Sequence, residues 1–320
     1  MLRYTLIGKI QNIMMHSASI IAGPIIYQAG GYLDPCYGTG NDDPVSTINS
    51  IDVTVHKDRL KHCGDLPEPL SHHAMIYTKQ RLYVFGGKRK DGSISSTVWS
   101  TSLDFTKRDL FGTKWVEAGK LPCGMYGQTV INIDGEIYIM GGNTDKKYCK
   151  GMKQILRVVF DGNKIDSWDV AGYMPEHLHN TEVKFFKRKL IIVGGDIFGT
   201  SLPNNTVYSI GVTGNVLSPA IPVGCTLPHI AHPVTFVLNN RFYYGGGLTY
   251  DKTANIAVGF NKGVYELLLG ENLETTVSSY QGVVPADLFM FDHVVGRERS
   301  YILGGRNESR LCQDVVAMSS

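Results

Sequence analysis

The chain has 320 residues, of which 43% are apolar and 19% are charged, and its formal net charge is +2. A chain of this length can bury a large core, and an all-β fold of this size can be one domain. The near balance of charges argues against a dedicated nucleic-acid binder, which is usually far more basic. No stretch comes near the roughly 18 apolar residues of a membrane span, and the N-terminus lacks the long apolar core of a signal peptide. The six cysteines are scattered without a CxxC pair, so we expect reduced thiols.

The first predicted strand covers residues 4–10, and a later strand ends on the diglycine Gly30-Gly31. The same pattern, a short apolar strand that stops on two glycines, returns five times, at Gly86-Gly87, Gly141-Gly142, Gly194-Gly195, Gly246-Gly247 and Gly304-Gly305. The spacings are 56, 55, 53, 52 and 58 residues, and a tyrosine stands three residues before the first glycine in five of the six copies. A period of about 54 residues predicts a propeller or a solenoid.

The copy around Gly141-Gly142 shows the strands of one unit. Two β-rich runs, at residues 128–133 and 136–140, are joined by an Asp-Gly turn, which is a strong hairpin signal. A third run at residues 155–160 turns at another Asp-Gly into a fourth run near residues 167–171. Four antiparallel strands without helical periodicity predict one propeller blade.

The two ends of the chain complement each other. The sixth unit has a third run at residues 314–318, and there the chain stops. Residues 4–10 match residues 115–121, a fourth strand, position by position. We therefore expect residues near 2–9 to form the outer strand of the last blade and to close the ring. The chain 1–320 is then a single all-β domain.

These features resemble the kelch family of β-propellers. The resemblance rests on the six diglycine units, their tyrosines, Trp115 and Trp168 in fourth strands, and prolines in the connectors between units, and it covers essentially the whole chain. It implies a six-bladed kelch-type β-propeller with four antiparallel strands per blade. One departure is the arginine that often follows the connector proline by three residues, which is replaced here by Leu70, Met125, Leu178, Ala231 and Leu288. Kelch propellers serve as adaptors, scaffolds, sugar binders and enzymes, so the resemblance predicts the fold more sharply than the function.

In a propeller, the connectors and the loops after the diglycines open on one face, around the mouth of the central channel. We expect binding residues there, and the candidates are Tyr32, Lys88, Arg89, Tyr126, Lys146, Lys147, Tyr148, His179, His232, Tyr250, Phe260, Arg306 and Arg310. Their aromatic rings could stack on sugars or anchor a protein, and their cations could meet an anionic glycan or an acidic surface. Ordinary solvated loop charge is the alternative interpretation.

Eight of the ten histidines lie in or just after connectors: His16, His72, His73, His177, His179, His229, His232 and His293. Such a ring of imidazoles could bind a metal or serve acid–base chemistry. No pair combines a recognised ligand spacing with an acidic partner, so we predict no metal site and no cofactor. The kelch resemblance implies instead a structural histidine at the start of the inner strand, where His73 stands.

The segment at residues 248–260 is long, and Ile256, Ala257, Val258 and Phe260 make its second half apolar. Exposed apolar loop residues often mark contact with another chain. The equal alternative is that the segment folds back on its own blade.

The sequence contains no GxSxG, no HExxH and no repeated carboxylate pair. We therefore expect a non-catalytic binding module, a structural or receptor- or glycan-binding subunit of a larger assembly such as a virion. Its partners would be a protein or a glycan, with further copies of itself or other virion components as neighbours, and neither nucleic acid nor membrane insertion. The expected location is cytoplasmic or virion-associated. The alternatives are a sugar-processing enzyme of the sialic-acid mutarotase type and a cytoplasmic kelch adaptor. The adaptor is disfavoured because no BTB or BACK domain precedes the repeats.

Overall fold

Every regular element in the described part of the chain is a β-strand. The computed structural model describes residues 2–10, 14–33, 43–55, 58–144, 153–198, 200, 202–226, 230–251, 256–269, 277–283, 292–296, 299–304 and 314–319. Among these residues there is no helix long and apolar enough to cross a membrane.

The described residues of the first half of the chain form sixteen strands: β1 (Arg3–Lys9), β2 (Met14–Met15), β3 (Ala18–Ala22), β4 (Ile25–Ala29), β5 (Tyr32–Leu33), β6 (Thr47–Asp52), β7 (Asp58–Arg59), β8 (Lys61–Asp65), β9 (Ala74–Thr78), β10 (Arg81–Phe85), β11 (Thr97–Ser102), β12 (Val116–Lys120), β13 (Met125–Ile133), β14 (Glu136–Thr144), β15 (Gln154–Asp161) and β16 (Lys164–Tyr173). They include three successive four-stranded antiparallel sheets, in the orders β3-β4-β6-β8, β9-β10-β11-β12 and β13-β14-β15-β16. These sheets are blades 1 to 3.

The described strands of the second half are β17 (Leu178–His179), β18 (Glu182–Phe186), β19 (Lys189–Val193), β20 (Asp196–Ile197), β21 (Thr206–Thr213), β22 (Val216–Leu217), β23 (Ile221–Cys225), β24 (Ile230–Ala231), β25 (Val234–Leu238), β26 (Arg241–Gly245), β27 (Leu248–Asp251), β28 (Ile256–Phe260), β29 (Gly263–Leu268), β30 (Val277–Val283), β31 (Asp292–Val295), β32 (Ser300–Leu303) and β33 (Asp314–Ser319). Blade 4 has the order β18-β19-β21-β23, with the short β22 also paired to β21. Blade 5 has the order β25-β26-β29-β30.

The last blade contains both ends of the chain. Its sheet runs β31-β32-β33-β1, and β1 pairs antiparallel with β33 from Arg3 opposite Ser319 to Lys9 opposite Asp314. The outer strand of blade 6 is therefore the N-terminal strand, as the match with residues 115–121 predicts. The short β7 continues this sheet in parallel with β1. That the whole chain is one domain stays a prediction.

The buried apolar residues that the structure describes form six clusters, which lie between successive blades. One of them packs the last blade on the first, because Val294 and Val315 share it with Ile26 and Ile51. The repeated tyrosines belong to these clusters, and Tyr27, Tyr83, Tyr138, Tyr243 and Tyr301 are all buried. Burial of such large side chains between sheets stabilises the packing of neighbouring blades.

The residues that stand in place of the family's arginine also lie between blades. Leu70, Met125, Leu178 and Ala231 are each at most 2% exposed, whereas Leu288 lies outside the described residues. The carbonyl oxygens of the first three face the first glycine of the preceding blade's diglycine. These connectors therefore pack into the core, and apolar side chains suit that place.

Asn204 begins an Asn-Asn-Thr glycosylation motif at residues 204–206, but its side chain has a structural role in the folded chain. Its side chain is 3% exposed, and its Nδ2 donates to the carbonyls of Gly194 and Thr206, both at 3.0 Å. We expect Asn204→Ala to lower the free energy of unfolding by about 2 kcal/mol, because it removes two hydrogen bonds to carbonyls and the one that Asn204 Oδ1 accepts from Thr206 N. Urea denaturation measures this, with Asn163→Ala, in an exposed turn, as the matched control. Equal stabilities of the two variants would contradict the assignment.

Candidate functional site: the channel mouth

The inner strands of the blades surround a central cavity of about 390 Å³. At its mouth, five connectors place one residue each in equivalent positions with φ between 50° and 64°: His16, His72, Gly127, Asn180 and His232. Backbone hydrogen bonds of 2.8 Å run from His72 N to His16 O, from Gly127 N to His72 O and from Asn180 N to Gly127 O. Because the backbones are linked from blade to blade, the side chains of these residues are held around one opening.

One half of the mouth is aromatic. The imidazoles of His16 and His72 stack with their centroids 3.8 Å apart, and the ring of Tyr32 lies 5.3 Å from that of His16. Tyr126 meets His72 edge to face at 5.9 Å, and the Lys88 ammonium lies 4.0 Å above the centroid of the Tyr126 ring. This half offers flat faces and one cation held by a cation–π contact.

The stacked imidazoles are neutral at physiological pH. Burial lowers the pKa of His16 to about 4, with further contributions from His232 and Lys88. Burial also lowers the pKa of His72 to about 2, assisted by His16 and Lys88. A neutral imidazole has one nitrogen that donates and one that accepts. These rings can therefore donate a hydrogen bond to a hydroxyl group or accept one from it.

The opposite half contains a carboxylate between two imidazoles. His179 of β17 pairs across to Asp196 of β20, and its Nε2 lies 3.6 Å from Asp196 Oδ2. The Nε2 of His232 lies 3.5 Å from the same oxygen. Burial lowers the pKa of His179 although Asp196 acts in the other direction. The described residues contain no group of three or more His, Cys, Asp or Glu side chains that could hold a metal ion.

Deeper in the cavity, a charged cluster joins three blades. Glu182, on the inner strand of blade 4, accepts a 2.9 Å hydrogen bond from Thr235 of blade 5. Its Oε2 lies 3.2 Å from the Nζ of Lys184 and 3.3 Å from the Nε2 of His293 in blade 6. Burial alone would raise the pKa of Glu182, but Lys184 and His293 outweigh it and hold the pKa well below its usual range. The carboxylate is therefore ionised and accepts hydrogen bonds only.

The structure brings five of the predicted site residues to the mouth: Tyr32, Lys88, Tyr126, His179 and His232. Arg89 is held elsewhere, because its Nε lies 2.5 Å from Glu68 Oε2, and Trp99 also donates to that carboxylate. Five other candidates lie outside the described residues: Lys146, Lys147, Tyr148, Arg306 and Arg310.

Tyr250 and Phe260 lie in a hairpin that rises from blade 5. β27 pairs with both β24 and β28, and Tyr250 stands opposite Ala257 while Phe260 stands opposite Leu248. The apolar half of this segment is thus a strand on its own blade, with Val258 57% exposed. Contact of this hairpin with another chain stays a prediction.

Sequence reasoning did not select Glu182, Lys184 or Asp196 as site residues. Each of these residues nevertheless stands in a sequence pattern that weakly indicates its place. Asn180, Glu182 and Lys184 alternate along an inner strand that would otherwise be apolar, and Asp196 directly follows the diglycine of blade 4. Because alternate residues of a strand face the same side, this pattern predicts that the three polar side chains face the channel together.

The fold, the sheet orders and the motifs together define a kelch-repeat propeller. The chain matches the model of the KLHDC2/KLHL20/DRC7 Kelch-repeats domain over residues 15–196 and belongs to that family. The fold is that of a binding or interaction module.

Individual relatives are more distant. Beta-scruin of Limulus polyphemus is 30% identical over 134 residues, which cover 41% of this chain and 13% of that protein. N-acetylneuraminate epimerase 1 of Escherichia coli is 25% identical over 189 residues, covering 52% of this chain and 47% of the epimerase. Kelch domain-containing protein 10 of Homo sapiens is 21% identical over 190 residues, which cover 57% of this chain and 42% of that protein. The chain spans less than half the length of each of these relatives.

A solved structure extends the likeness to the whole chain. The structure of YjhT superposes with a TM-score of 0.76 at 15% identity, covering 99% of this chain and 97% of that one. At this identity the match concerns the fold, and it agrees with the kelch-type propeller predicted from the repeats.

Proposed function

We propose that the chain is a non-catalytic, glycan-binding propeller that receives a sugar residue at its channel mouth, as a receptor-binding subunit of a larger assembly. The observation that carries this proposal is the mouth itself, where the neutral imidazoles of His16 and His72 line an open cavity and the rings of Tyr32 and Tyr126 pack against them. Ligand sites of small molecules usually have volumes of about 300–1,000 Å³, and the cavity of about 390 Å³ lies in that range.

The chemistry of the lining supports a polyhydroxylated ligand. The faces of Tyr32, Tyr126 and the stacked His16–His72 pair can lie against the C–H faces of a sugar ring. The nitrogens of neutral imidazoles can donate to, or accept from, sugar hydroxyls. Lys88 is available for an acidic substituent, although burial lowers the pKa of its ammonium.

Tyr126→Ala tests this proposal on the full-length chain. We expect it to weaken the binding of the glycans that the wild-type chain retains on a glycan array by about tenfold, because it removes an aromatic ring that packs edge to face against the cavity-lining His72. Calorimetry with the retained glycan measures the change.

The matched control is Tyr173→Ala, since Tyr173 is 60% exposed on the outer strand of blade 3, away from the inner strands that line the cavity. It should bind like the wild type. A wild-type chain that retains no glycan, or a Tyr126→Ala variant that binds as tightly as Tyr173→Ala, would reject the glycan proposal. An assembly neighbour of protein character would then become the better candidate.

A second candidate is a sugar-processing enzyme of the epimerase or mutarotase type. It is favoured by the Glu182 carboxylate and the His293 imidazole, which lie 3.3 Å apart on one cavity wall and could move a proton on a bound sugar. The partial likeness to N-acetylneuraminate epimerase 1 supports the same candidate. Exchange between the anomers of N-acetylneuraminate, followed by NMR, tests it. An exchange rate equal to that in buffer would remove this candidate.

A further inference from the structure

Among the described residues, the contacts of the Glu182 carboxylate converge on one of its two oxygens. Thr235 Oγ1 at 2.9 Å, Lys184 Nζ at 3.2 Å and His293 Nε2 at 3.3 Å all converge on Oε2. Within the described part of the chain, no group donates a hydrogen bond to Oε1. The Glu182 side chain is 21% exposed and lines the cavity. A carboxylate fixed in this way keeps its orientation while one oxygen remains available to a ligand.

The groups around Oε1 are arranged as a wall. Asn180, Glu182 and Lys184 follow one another at alternate positions of the same chain segment, and all three line the cavity together with His293. The wall therefore offers an amide, an ionised carboxylate and an ammonium in a row along the channel. Two neighbouring sugar hydroxyls can donate to a carboxylate while their own oxygens accept from an ammonium or an amide.

The charges select against an ionic ligand. Glu182 and Asp196 balance Lys88 and Lys184, and the stacked imidazoles of the mouth carry no charge at physiological pH. A sugar carboxylate next to Glu182 would face a like charge in a partly desolvated cavity, which is costly. An amino sugar would meet the Lys184 ammonium in the same way.

We infer that the Asn180–Glu182–Lys184 wall is a subsite for a neutral sugar, which presents two adjacent hydroxyls to Glu182 Oε1 and its neighbours. This inference rests on the proposed glycan-binding function and adds the ligand's class, its orientation and the residue that discriminates. The ring of the sugar lies above the wall, against the aromatic half of the mouth.

The experiment uses the full-length chain and a panel of methyl hexopyranosides, their monodeoxy analogues, glucosamine and N-acetylneuraminate. Binding is measured by saturation-transfer NMR and calorimetry. A neutral hexopyranoside should bind best, and removal of either hydroxyl of the recognised pair should weaken binding by roughly fivefold to tenfold. The series of sugar analogues tests the subsite without changing the protein, so its result remains valid even if a variant folds poorly.

The protein side is tested by Glu182→Gln, which keeps the size of the side chain and removes its charge. It should weaken binding of the preferred neutral sugar roughly 10-fold to 100-fold, as expected for hydrogen bonds to a charged group. Glu117→Gln is the matched control, because Glu117 is 47% exposed on the outer strand β12. It should bind like the wild type.

The outcomes separate this inference from the proposed function. If glycans bind and Tyr126→Ala weakens them, while Glu182→Gln behaves like Glu117→Gln, the subsite is wrong and the glycan-binding function stands. Preference for N-acetylneuraminate over every neutral sugar would also overturn the subsite. If no sugar binds the wild-type chain, both proposals fall.

Discussion

Gly86→Ala is expected to lower the free energy of unfolding by about 4 kcal/mol, among the largest effects of a single substitution in this chain. Gly86 has φ of +60°, and a Cβ there would lie 2.3 Å from the carbonyl oxygen of Met125 in the next blade. That oxygen accepts a 2.7 Å hydrogen bond from Gly87 N. An alanine would therefore push two blades apart and break the bond between them, and its left-handed backbone would add about 1 kcal/mol.

The chain offers a control with the same backbone and no neighbour. Gly162 has φ of +59° in the Asp-Gly turn of blade 3, and nothing lies within 4 Å of the position that an alanine methyl group would take there. Gly162→Ala should therefore cost only about 1 kcal/mol. Urea denaturation of both variants measures the difference, which isolates the clash between blades. Equal losses would show that conformational strain alone explains the diglycine.

The fold could be predicted from the sequence because the strands and turns of each blade are close together in the chain. Each hairpin, its turn and its diglycine lie within one unit of the sequence, and Asp134 and Gly135 adopt the two positive φ values that an Asp-Gly hairpin turn favours. The pairing of β1 with β33 joins the two ends of the chain, but it was still predictable, because residues 4–10 copy a fourth strand whose place was vacant.

The candidate site was harder to predict from the sequence, because the ring of blades brings together residues that are far apart in the chain. Glu182 and His293 come from blades 4 and 6, and no spacing rule connects them. Arg89 is an example of a predicted site residue that the structure places elsewhere. Its position close to a diglycine predicted an accessible cation, but its side chain forms an ion pair with Glu68. Which loop cations reach the mouth depends on partners that only the folded structure reveals.

The second large effect is expected in acid, where His73 should destabilise the fold. His73 is 5% exposed, packed between Gly30 and Gly87 of adjacent blades, and neither ring nitrogen has a hydrogen-bond partner in the described part of the protein. Burial lowers its pKa to about 4 from an ordinary value of 6.5. As the pH falls below 6.5, the unfolded chain binds a proton that the folded chain does not, so stability decreases until the pH nears 4.

His73 alone should account for up to about 3 kcal/mol of this loss. His16 and His72, whose pKa values burial lowers to about 4 and about 2, should add to this loss, though less than His73 because their rings line the open channel. The carboxylates with lowered pKa, Asp58 and Glu182 among them, lose their contribution only at lower pH, below ordinary values of 3.8 for aspartate and 4.5 for glutamate. Urea denaturation between about pH 7 and pH 4.5 therefore reports mainly on the histidines.

His73→Gln should flatten this pH dependence while keeping stability near neutral pH. The replacement copies the next blade, where Gln128 occupies the equivalent position and its Nε2 donates to the Phe85 carbonyl at 2.7 Å. Ala29 ends the corresponding strand of blade 1, so a glutamine at position 73 has an equivalent acceptor. His62→Gln, on an outer strand with its ring 46% exposed, should keep the wild-type slope. If His73→Gln lost stability in acid as steeply as the wild type, the proton would be taken up elsewhere, and the imidazoles of the channel mouth would be the next groups to replace.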